Sequence, residues 1–207
     1  MEQFGGGVSM KRLVLGIALV GLAIPTIGGN SKSEIVLSGK PHMEFACPAN
    51  TPLRLHVRSG EILIVGTDDN KMTVDLAGKN VDKIQDVKGR FLLANNVAEF
   101  HLTGGPKNDI QIIIHVPRNS DLTARIVAGD VSVQDVEGNK DLELGAGQLT
   151  IGVNRPGDYG RVDMSVNAGE VDAFGDSKGG LFRSISKDAG GKYRLHAHVG
   201  TGQLSVR

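Results

Sequence analysis

One glycine-centred phrase recurs five times along the chain: "VRSGEILIVG" at 57–66, "IVAGDVSVQDVEG" at 126–138, "LGAGQLTIGV" at 144–153, "VNAGEVDAFG" at 166–175 and "VGTGQLSVR" at 199–207. Aligned on Gly60, Gly129, Gly147, Gly169 and Gly202, each glycine follows a small residue. Each precedes an acid or its amide: Glu61, Asp130, Gln148, Glu170 and Gln203. Apolar residues stand three and five positions before the glycine, and again two and four after it. Each run has the period of one strand face, so every phrase predicts strand, corner, strand with a single buried side. The glycine marks the corner, where the backbone takes a positive φ or crowds a neighbour. No Asn-Gly or Asp-Gly pair lies there, which argues against a tight hairpin.

The intervals Gly129 to Gly147, Gly147 to Gly169 and Gly169 to Gly202 are 18, 22 and 33 residues. That is about the chain needed for one coil of two or three short strands, stacked on its neighbours in adjacent coils. The uneven remainders, 153–160 and 174–193, are expected to leave the corners as loops. The predicted inward face comprises Ile126, Val131, Val133, Leu142, Leu144, Leu149, Ile151, Val162, Met164, Val166 and Val171. Composition agrees with aliphatic packing: 29 glycines, no tryptophan and only 4% aromatic residues. Upstream, 71–78, 97–104 and 108–117 predict strands, and 80–96 fits either a short helix or a strand with a turn. The expected fold class is therefore all-β: a solenoid-like stack of short strands with glycine corners and a less regular β-rich N-terminal half. Residues 30–207 are expected to form one domain, less regular over 34–117 and regularly repeated over 118–207.

Residues 1–29 predict an N-terminal extension and signal peptide. Met10 is the expected start, Lys11 and Arg12 form a basic segment, and 13–24 is an apolar run ended by Pro25, with cleavage expected after Gly28. The run is too short for a comfortable bilayer span, so no stable membrane span is expected after cleavage. The formal net charge is zero, which gives no basic excess for nucleic acid or an anionic membrane surface. Cys47 is the one cysteine, so no intrachain disulfide forms; it is expected to be a small buried hydrophobe.

Candidate chemistry is sparse. "GAGQLTIG" at 145–152 has Thr150 where a dinucleotide loop needs its third glycine, and no helix pattern follows to receive a pyrophosphate. His196 and His198 share one outward strand face, a spacing that can bind metal, and His56 holds the repeat position of His198. No Asp, Glu or Cys stands at a matching ligand spacing, and the coils of His56 and His198 are far apart in sequence, so no metal site is expected. His42, His101 and His115 form no motif. The column Glu61, Asp130, Gln148, Glu170, Gln203 is expected along one edge of the stack, its glutamines relieving carboxylate repulsion. Asp163, Glu170, Asp172 and Asp176 are the acids that glycoside chemistry would require, but they read as ordinary outward strand positions.

The secretory start, "LRLHVRSGEILIVGTDDNKMTVDL", "IQIIIHVPRNSDLTARIVAGDVSVQDVEG" and the glycine-centred repeats together resemble the bacterial adhesin-like domain of unknown function, the auto-transporter adhesin group of β-strand-repeat proteins. The resemblance covers roughly 53–206. It implies an exported, envelope-facing, right-handed β-helix-like fold and brings no catalytic residues. The expected function is a non-catalytic secreted, periplasmic or envelope-associated module, structural or mediating protein or surface interaction, whose partner is an envelope or surface component. The alternative is a carbohydrate-active enzyme or glycan-binding β-helix. No catalytic residue, cofactor or metal ligand is assigned.

Overall fold

A 13-residue strand such as Leu122–Gln134, if straight, would run about 40 Å. Yet the chain returns from Gln134 to Lys140, beside Leu122, through only the intervening residues 135–139. Six peptide links reach about 21 Å at most, so the strand must fold back on itself at its middle. Gly129 sits there with φ +135°.

The computed structural model describes residues 33–79, 81–105 and 109–207. The signal segment, with Met10, Lys11, Arg12 and Gly28, lies outside them. Among the described residues the fold is all-β, with strands β1 (Ser33–Ser38), β2 (His42–Ala46), β3 (Leu53–Thr67), β4 (Lys71–Ala77), β5 (Lys88–Ala94), β6 (Val97–Thr103), β7 (Gln111–Pro117), β8 (Leu122–Gln134), β9 (Lys140–Ile151), β10 (Tyr159–Ala173), β11 (Asp176–Asp188) and β12 (Tyr193–Val206). The sheet is open and its main path runs β1-β5-β6-β3-β8-β9-β12-β10-β11. The five phrases lie on β3, β8, β9, β12 and β10, which pair in parallel and in register, corner on corner: Gly60 with Gly129, Gly129 with Gly147, Gly147 with Gly202, Gly202 with Gly169. All five corner glycines have positive φ, between 128° and 147°. A Cβ added to Gly129, Gly147, Gly202 or Gly169 would stand within 2.0 Å of the carbonyl oxygen of the preceding corner glycine. The corner therefore demands glycine on both counts, conformation and space.

Two expectations are corrected. The coils do not stack in chain order, because β12 inserts between β9 and β10 and pairs in parallel with both. Residues 174–193 are also not simply a loop. Phe174 and Gly175, with φ of 55° and 90°, form a two-residue turn of the type whose central residues both need positive φ. Beyond it, β11 runs antiparallel along β10 from Arg161 to Ala173. Phenylalanine in the first turn position hid the hairpin, since the sequence signal is Asn, Asp or Gly there. The ambiguous 80–96 contains both readings, a 3-10 helix over Val81–Asp86 and then β5, which turns at Asn95 and Asn96 into β6.

At Gly60 the neighbours of β3 change. Its first arm pairs with β6, which carries β5 and β1; its second arm pairs with β7, which carries β4 and β2. These two wings pack on each other through Phe45 of β2, stacked on Phe91 of β5 at 4.9 Å and tilted against Phe100 of β6 at 5.6 Å. The core is thus aromatic under the wings and aliphatic under the bent strands. Every residue of the predicted inward face is buried. Cys47 is fully buried too, and burial pushes its thiol up to about 11. One inward position carries a charge: Lys140, flanked by Leu122 and Leu195, is 1% exposed and donates to the Tyr159 hydroxyl. Burial pushes its ammonium pKa down to about 8, against the attraction of Glu137 and Asp121.

Leu149 is 2% exposed, whereas its neighbour Thr150 faces out and meets the Ser205 hydroxyl at 3.2 Å. Leu149→Ala is expected to cost about 2–5 kcal/mol and Thr150→Ala about 0.5 kcal/mol or less. Urea unfolding of both variants checks the register; equal losses contradict it.

Candidate functional site

In-register stacking turns one strand position into a row that crosses the sheet. The outward position four before the corner produces the most functionalised row. It runs His101 (β6), His56 (β3), Arg125 (β8), Glu143 (β9), His198 (β12) and Ser165 (β10), each paired with the next. Two residues earlier, a second outward row holds Glu99, Arg54, Thr123, Asp141, His196 and Asp163. Residues from 56 to 200 in the sequence therefore share one face. Far apart in sequence and three strands apart in the sheet, His56 and His198 nonetheless line one open groove of about 450 Å³, together with His101, Arg125 and Glu143. Gly145 and Gly200 leave its floor without side chains, and Val127, 65% exposed, stands at its edge.

The groove has two polar centres. In the first, the imidazoles of His56 and His101 stack at 4.4 Å with an 8° interplanar angle. Glu99 Oε1 lies 2.6 Å from His101 Nε2 and 3.9 Å from His56 Nε2. Burial lowers the His56 pKa, the neighbouring His101 lowers it further, and Glu99 opposes both. Glu99 is held below the usual carboxylate range by its hydrogen bond with His101, against partial burial. His101 belonged to no sequence motif because its partner strand is not its chain neighbour; in-register pairing of β3 with β6 makes the cluster.

The second centre is a charge network across β8, β9 and β12. Arg125 Nη2 donates to Asp141 Oδ2 at 2.8 Å, and its Nε lies 3.0 Å from Glu143 Oε2. Asp141 Oδ1 lies 2.8 Å from His196 Nδ1. Burial alone would raise the Asp141 carboxyl, but the hydrogen bonds from Arg125 and His196 outweigh it and hold the pKa below the ordinary value. His198 meets Ser165 Oγ at 2.9 Å instead. An acid does stand beside His196, supplied by the adjacent strand where sequence spacing offered none. His42 and His115 also share a carboxylate: Asp75 lies 2.6 Å from His42 Nδ1 and 3.9 Å from His115 Nδ1.

The other sequence candidates are dispersed. Asp163 lies on the first arm of β10, 2.6 Å from Arg161 Nε. Glu170 and Asp172 lie on the second arm beyond Gly169, and Asp176 opens β11. The four acids form no facing pair. The corner column runs Glu61, Asp130, Gln148, Gln203, Glu170 across the sheet. Its glutamines are adjacent, leaving Glu61 beside Asp130, where Gln111 donates to Glu61 at 3.0 Å. The 145–152 stretch continues β9 through its corner into a second strand arm.

A second exposed feature is the margin of the sheet. β11 ends the strand order, and of its side chains only Ile185 is buried. Phe182 is 81% exposed and Leu181 66% exposed on this strand.

No family model matches the chain, and no curated protein matches its sequence. Two solved structures are similar in shape. One is named a "putative cell adhesion protein", from Clostridium sporogenes, with TM-score 0.46 and 12% identity, covering 86% of this chain and 99% of that one. The other is named a "putative adhesin", from Bacteroides fragilis, with TM-score 0.31, 12% identity and the same coverage.

Asp141→Asn tests the network. A carboxyl whose folded pKa is depressed contributes fully above its unfolded pKa of about 4, and the contribution fades as pH falls through the folded value. Because the side chain is partly exposed, the expected cost at pH 7 is about 0.5–1 kcal/mol. Urea unfolding should give a gap between the two proteins at pH 7 that narrows at about pH 3. An equal gap at both pH values contradicts the ionic origin.

Proposed function

We propose that this chain is an exported, non-catalytic interaction module of the bacterial cell envelope, which docks a partner polypeptide along the open edge of β11. The observation that carries this reading is the edge itself. A long marginal strand presents unpaired backbone donors and acceptors, a template for a further strand. Phe182 and Leu181 stand in solvent on that strand, where an uncovered apolar pair would otherwise invite aggregation. The signal-like start and the sequence resemblance to adhesin-like repeat proteins support an envelope location. The parallel, in-register bent strands support a β-solenoid architecture, right-handed as crossover connections between parallel strands nearly always are.

The test is retention of the purified mature chain on isolated bacterial envelopes, against a Leu181→Asp/Phe182→Asp double variant. The side chains are solvent-exposed, so the variant is expected to fold and to lose roughly tenfold or more in retention. Equal retention, or no retention of either protein, contradicts the assignment. Release of oligosaccharide products from envelope glycans would instead favour a carbohydrate-active enzyme.

A further inference from the structure

We propose that His56, His101 and Glu99 form a binding site for a zinc-type divalent transition-metal ion on the outer face of the sheet. This does not depend on what, if anything, docks on β11.

The site follows from topology. His56 and His101 are register partners on the parallel strands β3 and β6, so both imidazoles project from the same face at the same height. Glu99 is two residues before His101 and shares its face by the period of the strand. The result is two imidazole nitrogens and one carboxylate oxygen, a donor set that binds zinc and leaves a coordination position open. Imidazole donors favour zinc, copper, nickel or cobalt over calcium and magnesium, which prefer oxygen ligands.

The donor atoms are nearly in place. All three lie within 4.8 Å of one another. Tetrahedral zinc with bonds of about 2.0–2.1 Å sets its donors about 3.3 Å apart. Glu99 Oε1 must therefore draw back from His101 Nε2, now 2.6 Å away, and approach His56 Nε2, now 3.9 Å away, each by less than an ångström. The stacked rings must also rotate from their 8° alignment so that their lone pairs converge. The side chains are 33–40% exposed, which leaves them room to turn. The ion would take the place now held by the proton between Glu99 and His101. Its open position would face the groove, where water or a donor from another molecule can complete the shell.

Neighbouring charges set the affinity. Arg125, register partner of His56, is paired with Asp141 and Glu143, and Arg90, register partner of His101, is paired with Glu34. Arg54, register partner of Glu99, makes no salt bridge among the described residues, so its charge opposes a dication directly. Removing that charge should tighten binding, an effect that a purely structural role for the cluster would not produce.

The experiment is calorimetric titration of the untagged full chain with Zn²⁺, with the visible spectrum of the Co²⁺ form as a reading of coordination. One ion per chain is expected, with His56 and His101 imidazole nitrogens shifting together in ¹⁵N spectra. His56→Gln and Glu99→Gln should each weaken binding by roughly tenfold or more, Arg54→Gln should strengthen it, and His198→Gln should leave it unchanged. Absence of uptake overturns the proposal. So does uptake that survives His56→Gln, which would place the ion at Asp141–His196 or at His42–Asp75–His115. Should a variant fail to fold, the nitrogen shifts in the unmodified chain decide: ligation moves both His56 and His101, and any other pattern overturns the site.

Discussion

The structure depends on the close approach of backbones at one corner. Five strands bend at a shared register position, and at four of the corners, Gly129, Gly147, Gly202 and Gly169, the Cα sits against the carbonyl of the corner glycine before it in the sheet. No residue with a Cβ fits there without displacing backbone. Because the bend falls at the same register position in every strand, the strands can remain hydrogen-bonded through it. Both arms then present apolar side chains inward. A corner displaced by one residue would turn one arm's buried face to solvent. The glycine therefore fixes two things together: the closure that short links require, and the register that makes a continuous core.

In-register stacking also organises the surface. A side chain at one repeat position meets its counterparts on neighbouring strands at the strand spacing of about 4.8 Å. That distance suits imidazole stacking, as in His56 over His101, and lets an arginine reach carboxylates on the adjoining strand, as Arg125 does. Polar residues scattered through the sequence thereby become continuous rows. The two histidine-bearing rows lie on the outer face of the first arm, away from the aliphatic interior. The chain has no disulfide, and its core is mostly aliphatic, so stability rests on burial and ladder pairing. Lys140 is the charged residue within the core, where its ammonium donates to Tyr159 and burial depresses its pKa.

Local features of the fold were legible in the sequence, and long-range order was not. Apolar alternation around Gly129, Gly147 and Gly169 identified strand arms, inward residues and corners, because each is set by period and backbone conformation within one phrase. The order of the strands is set elsewhere. The phrases present nearly equivalent edges, so nothing in "VGTGQLSVR" says that β12 inserts between β9 and β10. Distance in sequence gave no sign of the groove that His56 and His198 share, and nothing around His101 marks β6 as the neighbour of β3. β11 escaped notice for a different reason: it is exposed on both faces except at Ile185, so it has no amphipathic alternation to read. The groove and the His56–Glu99–His101 cluster are properties of strand order, and they became visible only with it.

The corner is tested most directly by the smallest side chain. At Gly147, with φ +128°, an added Cβ would stand 2.0 Å from the Gly129 carbonyl oxygen, whereas at Gly157 it would meet nothing within 4 Å. Chemical unfolding of Gly147→Ala and Gly157→Ala compares the two sites within one fold. If corner stacking holds the architecture, Gly147→Ala loses about 2–4 kcal/mol and Gly157→Ala changes stability by about 0.5 kcal/mol or less. Equal, small effects at both positions would contradict the account.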